Sequence, residues 1–150
     1  MDALWVFLHE VGAFVFVGAH SVAVVVAFEI RQEERPERLR TLLNLSARVR
    51  PVQYIGLAVL LVGGLAAAWT RGWWSWGWVW ASLALLAVLV VGALPLVPHF
   101  RRWRQVLGQA GTELPEEARQ LGRSPLLPLV ATYETVGLVV ILWLMVAKPF

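Results

Sequence analysis

Four long apolar runs dominate the pattern of hydrophobic and polar positions along the chain. They predict helices over residues 3–28, 52–70, 78–98 and 125–147. Each run is close to the length of about 20 residues that a helix needs to cross a hydrocarbon core of about 30 Å. Membrane β-strands would instead be about 10 residues long with strict alternation, which the runs lack. The pattern therefore predicts an all-α integral membrane protein, an antiparallel four-helix bundle forming a single domain over residues 1–150.

Composition places this bundle outside the soluble classes of protein. The chain has 150 residues, of which 59% are apolar and 15% charged. A soluble domain has about 45–50% apolar and about 25% charged residues. Cysteine is absent, which excludes disulfides, thiolate metal sites and Cys nucleophiles. His, Met and carboxylate side chains remain as candidate ligands and catalysts.

The basic residues predict how the bundle is oriented. Eleven of the thirteen Lys and Arg residues fall in the first and third connections, and such residues collect on the cytoplasmic side of a membrane. Eight of the nine tryptophans lie near the opposite helix ends, as in an interfacial aromatic belt. We therefore expect a multi-pass protein of the cell inner (plasma) membrane with both termini outside the cytoplasm. Contact with the lipid bilayer explains the excess of basic over acidic residues, and no nucleic-acid partner is expected.

The two basic connections carry helical patterns of their own. Residues 36–47 place Leu39 and Leu43 at helical spacing with arginines on the other face, which predicts a short helix lying on the membrane surface. Residues 112–123, with Pro115 near their start, predict a polar helix. Both are expected to be solvated connectors.

Small residues predict where the spans meet. They recur every four positions on the first span, at Ala19, Ala23 and Ala27, and on the second, where Gly63 precedes Ala67. Such spacing lets backbones approach closely in lipid, where there is no hydrophobic force between helices. A compact bundle is the expected result.

Two ionisable side chains inside the apolar runs match in depth. His20 lies eight residues before Phe28, at the inner end of the first span, and Glu134 lies eight residues after Leu126, at the inner start of the fourth. At about 1.5 Å per residue, both are about 12 Å from the cytoplasmic edge. We therefore expect a hydrogen bond or ion pair between them, with Tyr133 and Thr135 as candidate bridging groups. Burial at mid-membrane costs at least about 2.5–3.5 kcal/mol, so His20 and Glu134 form either a catalytic, ligand-binding or proton-binding site or a structural clasp.

His9 is a second candidate on the first span. It shares a face with His20 but lies about 16.5 Å from it along the axis, too far for both to bind one metal ion. The two are suited to separate sites or to a relay. Met145 on the fourth span lies level with His9 by the same arithmetic. Haem iron accepts His and Met as axial ligands and copper accepts a thioether, so His9, His20 and Met145 are candidate cofactor-binding residues.

Three segments resemble known membrane-protein families. The segment YETVGLVVILWLMVAKPF, which contains Glu134 and ends in Lys-Pro-Phe, is similar to the C-terminus of the HemJ-type protoporphyrinogen oxidase family. LHEVGAFVFVGAH, with His9 early, is similar to the first helix of that family and of the CopD-type copper-resistance membrane domain. ARVRPVQYIGLAVLLVGGL, with Pro51 and Gly64, looks like their entry into the second helix. Together, the resemblance extends over nearly the whole chain.

The resemblance implies a bacterial four-helix membrane protein that binds haem b, with His9 as the ligand of the haem iron and Glu134 as the family's carboxylate. An oxidoreductase of the protoporphyrinogen oxidase type is the activity it implies. Two alternatives stay open. One is a copper-handling membrane protein with His9 in the metal site, and the other is a structural or assembly subunit without a cofactor, acting as a homo-oligomer or in a larger membrane complex.

Overall fold

The four apolar runs form long helices, and the fold is all-α. The computed structural model describes residues 2–111 and 113–149. Four helical stretches within these residues are long and apolar enough to cross a membrane, as the sequence predicts. The elements are α1 Asp2–Gln32, α2 Pro36–Thr70, a 3₁₀ turn Trp73–Ser75, α3 Gly77–Ala93, α4 Leu96–Gln109, α5 Glu116–Arg123 and α6 Leu126–Ala147.

The spans pack as two antiparallel pairs. In the first pair, Gly12 of α1 faces the backbone of Leu60 on α2, and Gly63 of α2 faces the backbone of His9. In the second pair, α3 packs against α6, where the Leu89 side chain lies over Gly137. The pairs meet mainly through α1 and α6, and α2 also meets α3 where Ala68 and Trp78 belong to one hydrophobic cluster.

Helix α2 is longer than the predicted second span. The segment that predicted a separate surface helix is continuous with the span, and Pro51 lies inside the helix. An internal proline removes a backbone hydrogen bond and disfavours the helix. The helix nevertheless continues, because Leu39 and Leu43 are only 1% and 2% exposed and belong to the same hydrophobic cluster as Trp103 of α4. The surface-helix prediction is wrong because these leucines pack against protein.

The third apolar run forms parts of two helices and not the single helix expected over residues 78–98. Helix α3 ends at Ala93 and α4 begins at Leu96. Pro95 between them has no backbone N–H to continue the α-helical pattern. The chain is instead held by two short-range bonds, from Leu94 N–H to the carbonyl of Val91 and from Val97 N–H to the carbonyl of Leu94, both 3.1 Å.

The arginine-rich end of the bundle, formed by α4, α5 and residues 36–50 of α2, has a hydrophobic core of its own. Trp103 is fully buried at its centre, and Ala118 of α5 is also fully buried. Arg40 of α2 donates from Nε and Nη2 to the Leu107 carbonyl of α4, at 3.2 and 3.0 Å. The expectation of two solvated connectors is therefore wrong for this end, because both segments bury an apolar face.

The opposite, tryptophan-rich end, formed by residues 69–80 and 143–149, is more open. Trp69, Trp80 and Trp143 are exposed, as residues at a membrane interface would be. Trp78 is buried beside Ala68 and Val79. Nζ of Lys148 lies 4.7 Å from the ring centroid of Trp73, a cation–π geometry.

Candidate functional site

His20 of α1 and Glu134 of α6 meet inside the bundle. Nδ1 of His20 lies 3.8 Å from Oε2 of Glu134, and the two side chains are 6% and 20% exposed. His20 projects from the buried face of α1, between Phe16 and Ala27, which are also buried. The expected approach of these two side chains across α1 and α6 is therefore present in the structure.

A cavity of about 140 Å³ adjoins the pair. Its walls are mostly apolar, with His20, Gln53 and Glu134 among the polar groups. Two of its lining residues, Tyr54 and Leu94, are 60% and 57% exposed, so the cavity reaches the outer surface of the bundle beside them. The lining comes from all four spans: Phe16, His20, Gln53, Tyr54, Leu57, Leu86, Leu89, Val90, Ala93, Leu94, Val97, Glu134 and Leu138.

The size of this cavity limits what it can hold. Pockets for drug-sized ligands occupy about 300–1,000 Å³, whereas one water takes up about 30 Å³ of liquid. The space beside His20 therefore suits a few waters or one small polar group. A haem does not fit there with the side chains as they stand, so the cavity does not support His20 as a haem ligand.

The pair leaves hydrogen-bonding capacity unused. The 3.8 Å separation is longer than the roughly 2.7–2.9 Å of a charge-assisted hydrogen bond. Nε2 of His20 is buried and has no hydrogen-bond partner among the described residues. The imidazole stacks on Phe16, with ring planes 14° apart, which holds the ring but satisfies neither nitrogen. Since an unsatisfied buried polar group costs about 1–3 kcal/mol, the arrangement is a poor clasp and is better suited to a proton or a small polar ligand.

The two expected bridging groups do not join the pair. The Thr135 hydroxyl donates to the Ala131 carbonyl within α6, and the Tyr133 ring lies against Gly92 of α3. Gln53 instead lines the cavity from α2. Sequence reasoning missed Gln53, although it is the one amide side chain in the four apolar runs.

His9 and Met145 lie in different packing groups. Nδ1 of His9 is 2.8 Å from the Leu60 carbonyl, and the ring lies against Gly64. Met145 packs with the cluster that contains Trp78. His9 does not line the cavity described above, and within the residues that the structure describes no group of three or more His, Asp or Glu side chains is placed to hold a metal ion.

Comparison with known proteins identifies the family to which the chain belongs. No curated protein matches the chain, and neither does any solved structure. The family model described as "Predicted integral membrane protein (DUF2269)" matches residues 3–149. That match covers nearly the full length and agrees with the four spans of the structure. The chain therefore belongs to the DUF2269 family of integral membrane proteins.

Proposed function

We propose that this protein binds and exchanges a proton inside the membrane, at the pair formed by His20 and Glu134. The observation that carries the proposal is the 3.8 Å approach of Nδ1 to Oε2 at the wall of a cavity that reaches the bundle surface. Ionisable residues inside transmembrane segments are expensive, and they commonly mark proton relays and substrate pathways. Glu134 is the proton-accepting group in this proposal, and His20 is its partner.

The charge balance of the pair explains why two groups are needed. With one exchangeable proton, the pair is neutral overall, either as imidazolium and carboxylate or as imidazole and carboxylic acid. Loss of that proton leaves a single carboxylate in a mostly apolar cavity. The amide of Gln53, on the same cavity wall, is a further hydrogen-bonding group for a small polar ligand that brings or removes the proton.

Infrared difference spectroscopy of the protein in lipid, recorded as the pH is changed, tests the proposal. A carboxyl C=O band should titrate in the unmodified protein and disappear in Glu134→Gln. His20→Gln should retain the band but move its titration, since the partner charge is removed. Glu29→Gln is the control, because Glu29 is an exposed carboxyl on α1. Difference spectra in which Glu134→Gln removes no titrating band, or in which Glu29→Gln removes the same band, contradict the proposal.

A second proposal is a haem b site at His9, as the resemblance to the HemJ-type and CopD-type families implies. The supporting observation is the contact of His9 Nδ1 with the Leu60 carbonyl. Metal-ligating histidines usually donate one ring N–H to such a carbonyl, which leaves Nε2 for the metal. Purified protein should then show a Soret band that His9→Ala removes. Copper without haem would favour the copper-handling alternative, and colourless, metal-free protein would exclude both.

A further inference from the structure

We propose a second binding site, for the phosphate of an anionic lipid headgroup, between Arg50 of α2 and Arg104 of α4. Arg50 lies on α2 and Arg104 on α4, the two helices that form this seam. Leu39, Leu43 and Ser46 are buried on the face of α2 that meets α4. Arg50 lies seven residues beyond Leu43, two helical turns along the same face.

Arg104 reaches from α4 to the backbone of α2. Its Nη2 donates to the Leu43 carbonyl at 3.5 Å, and this carbonyl points along α2 toward Arg50. Nε of Arg104 is buried and has no hydrogen-bond partner among the described residues. Burial, and after it the like charge of Arg50, lower the pKa of the Arg104 guanidinium. The Arg104 guanidinium therefore lies against α2 two helical turns or less from Arg50, with Ser46 between Leu43 and Arg50 on the same face.

The two arginines have no acidic partner within residues 2–111 and 113–149. Within the described part of the chain, no carboxylate forms an ion pair with Arg50 or Arg104. The arginines that do have glutamate partners are Arg35, Arg38, Arg102, Arg119 and Arg123. An anion between Arg50 and Arg104 would relieve their repulsion, and guanidinium groups bind phosphate oxygens through paired N–H donors.

The position of the seam identifies the source of the phosphate as a lipid. Arg50 immediately precedes Pro51 and the apolar run that begins at Val52. The headgroup layer occupies the few ångströms beyond the hydrocarbon core, and basic residues at this depth attract anionic headgroups. The site therefore lies level with membrane phosphates, with apolar helix surface for the acyl chains on the membrane side.

Binding of defined lipids to the detergent-solubilised full chain tests the site. Dioleoyl phosphatidylglycerol should raise the midpoint of thermal unfolding, and titration should give an affinity that Arg50→Gln/Arg104→Gln weakens by at least about tenfold. Arg31→Gln/Arg101→Gln is the matched control, since it removes two exposed arginines from the same end. Its affinity should stay within about threefold of the unmodified protein's.

Two further ligands and one further double variant distinguish a lipid site from binding of any anion. Dioleoyl phosphatidylcholine, whose phosphate is offset by choline, and inorganic phosphate should each give little stabilisation. The charge-conserving variant Arg50→Lys/Arg104→Lys should fold and bind phosphatidylglycerol with intermediate affinity, because lysine lacks the planar fork. Equal weakening in both glutamine doubles, no weakening in the lysine double, or equal stabilisation by inorganic phosphate would each overturn the lipid site.

Discussion

Replacing Gly12 by alanine should force α1 and α2 apart. A Cβ at this position would lie 2.3 Å from Leu60 N and 2.7 Å from Leu60 Cα, whereas ordinary contacts begin at 3.4 Å. Both neighbours are backbone atoms, so no side-chain rotation can relieve the clash. The helices must separate by about 1 Å at the crossing, and overpacking of this kind costs about 1–3 kcal/mol.

Gly18→Ala is the matched control for that measurement. Gly18 is on the same helix, and an added Cβ there meets nothing within 4 Å. Both variants gain the same intrinsic helix propensity, up to about 1 kcal/mol, so the difference between them isolates the clash. Unfolding in mixed detergent micelles, followed by circular dichroism, should place Gly12→Ala about 1–3 kcal/mol below Gly18→Ala in unfolding free energy. Equal stability of the two variants would refute the close α1–α2 crossing.

Three further predictions concern the arginine-rich end. Trp103 is 0% exposed and Trp69 is 76% exposed, so Trp103→Ala should lower the unfolding free energy by about 3–5 kcal/mol and Trp69→Ala by much less in the same micelle assay. The pKa of Glu33 is lowered from 4.5 mainly because the side chain of Arg35 donates a hydrogen bond to its carboxylate. The stabilisation that the ionised carboxylate gains from this hydrogen bond is present above pH 4.5 and is lost as the pH falls through the lowered pKa. The difference in thermal midpoint between Glu33→Gln and the unmodified protein should therefore shrink in acid, and a constant difference contradicts this. Arg40→Lys removes the forked donation from Nε and Nη2 to the Leu107 carbonyl in the last turn of α4, and hydrogen exchange should become faster in that turn but not in α6.

Hydrophobic patterning predicted the spans well, because length and apolarity alone determine which segments can cross a bilayer. Pairing within the bundle was harder to predict. The small-residue spacing identified Gly63, but Gly12 has no partner at the same spacing, and its importance depends on which backbone lies opposite. Pattern alone also missed the continuity of α2 through Pro51, since the packing of Leu39 and Leu43 against α4 is a tertiary effect.

At the candidate site, residue counting predicted the depth of each side chain in the membrane but not the direction in which it points. Counting residues from the inner ends placed His20 and Glu134 at the same level, and the structure brings them to 3.8 Å. Depth alone could not separate Tyr133 and Thr135, which turn to other partners, from Gln53, which lines the cavity. His9 and Met145 were matched by the same arithmetic, yet they pack in different groups. Which way a side chain faces depends on helix rotation, which residue counting does not give.

The stability of the double variant His20→Leu/Glu134→Leu tests most directly whether the pair serves as a site or as a clasp. Replacing a buried ion pair by apolar residues is often neutral or stabilising by about 1–4 kcal/mol. For a site that retains unsatisfied polar groups, we predict that the double variant unfolds with the same free energy as the unmodified protein or a higher one, while the titrating carboxyl band is lost. A fall of more than about 2 kcal/mol in the double variant would contradict the account, since it would show that the pair holds α1 and α6 together.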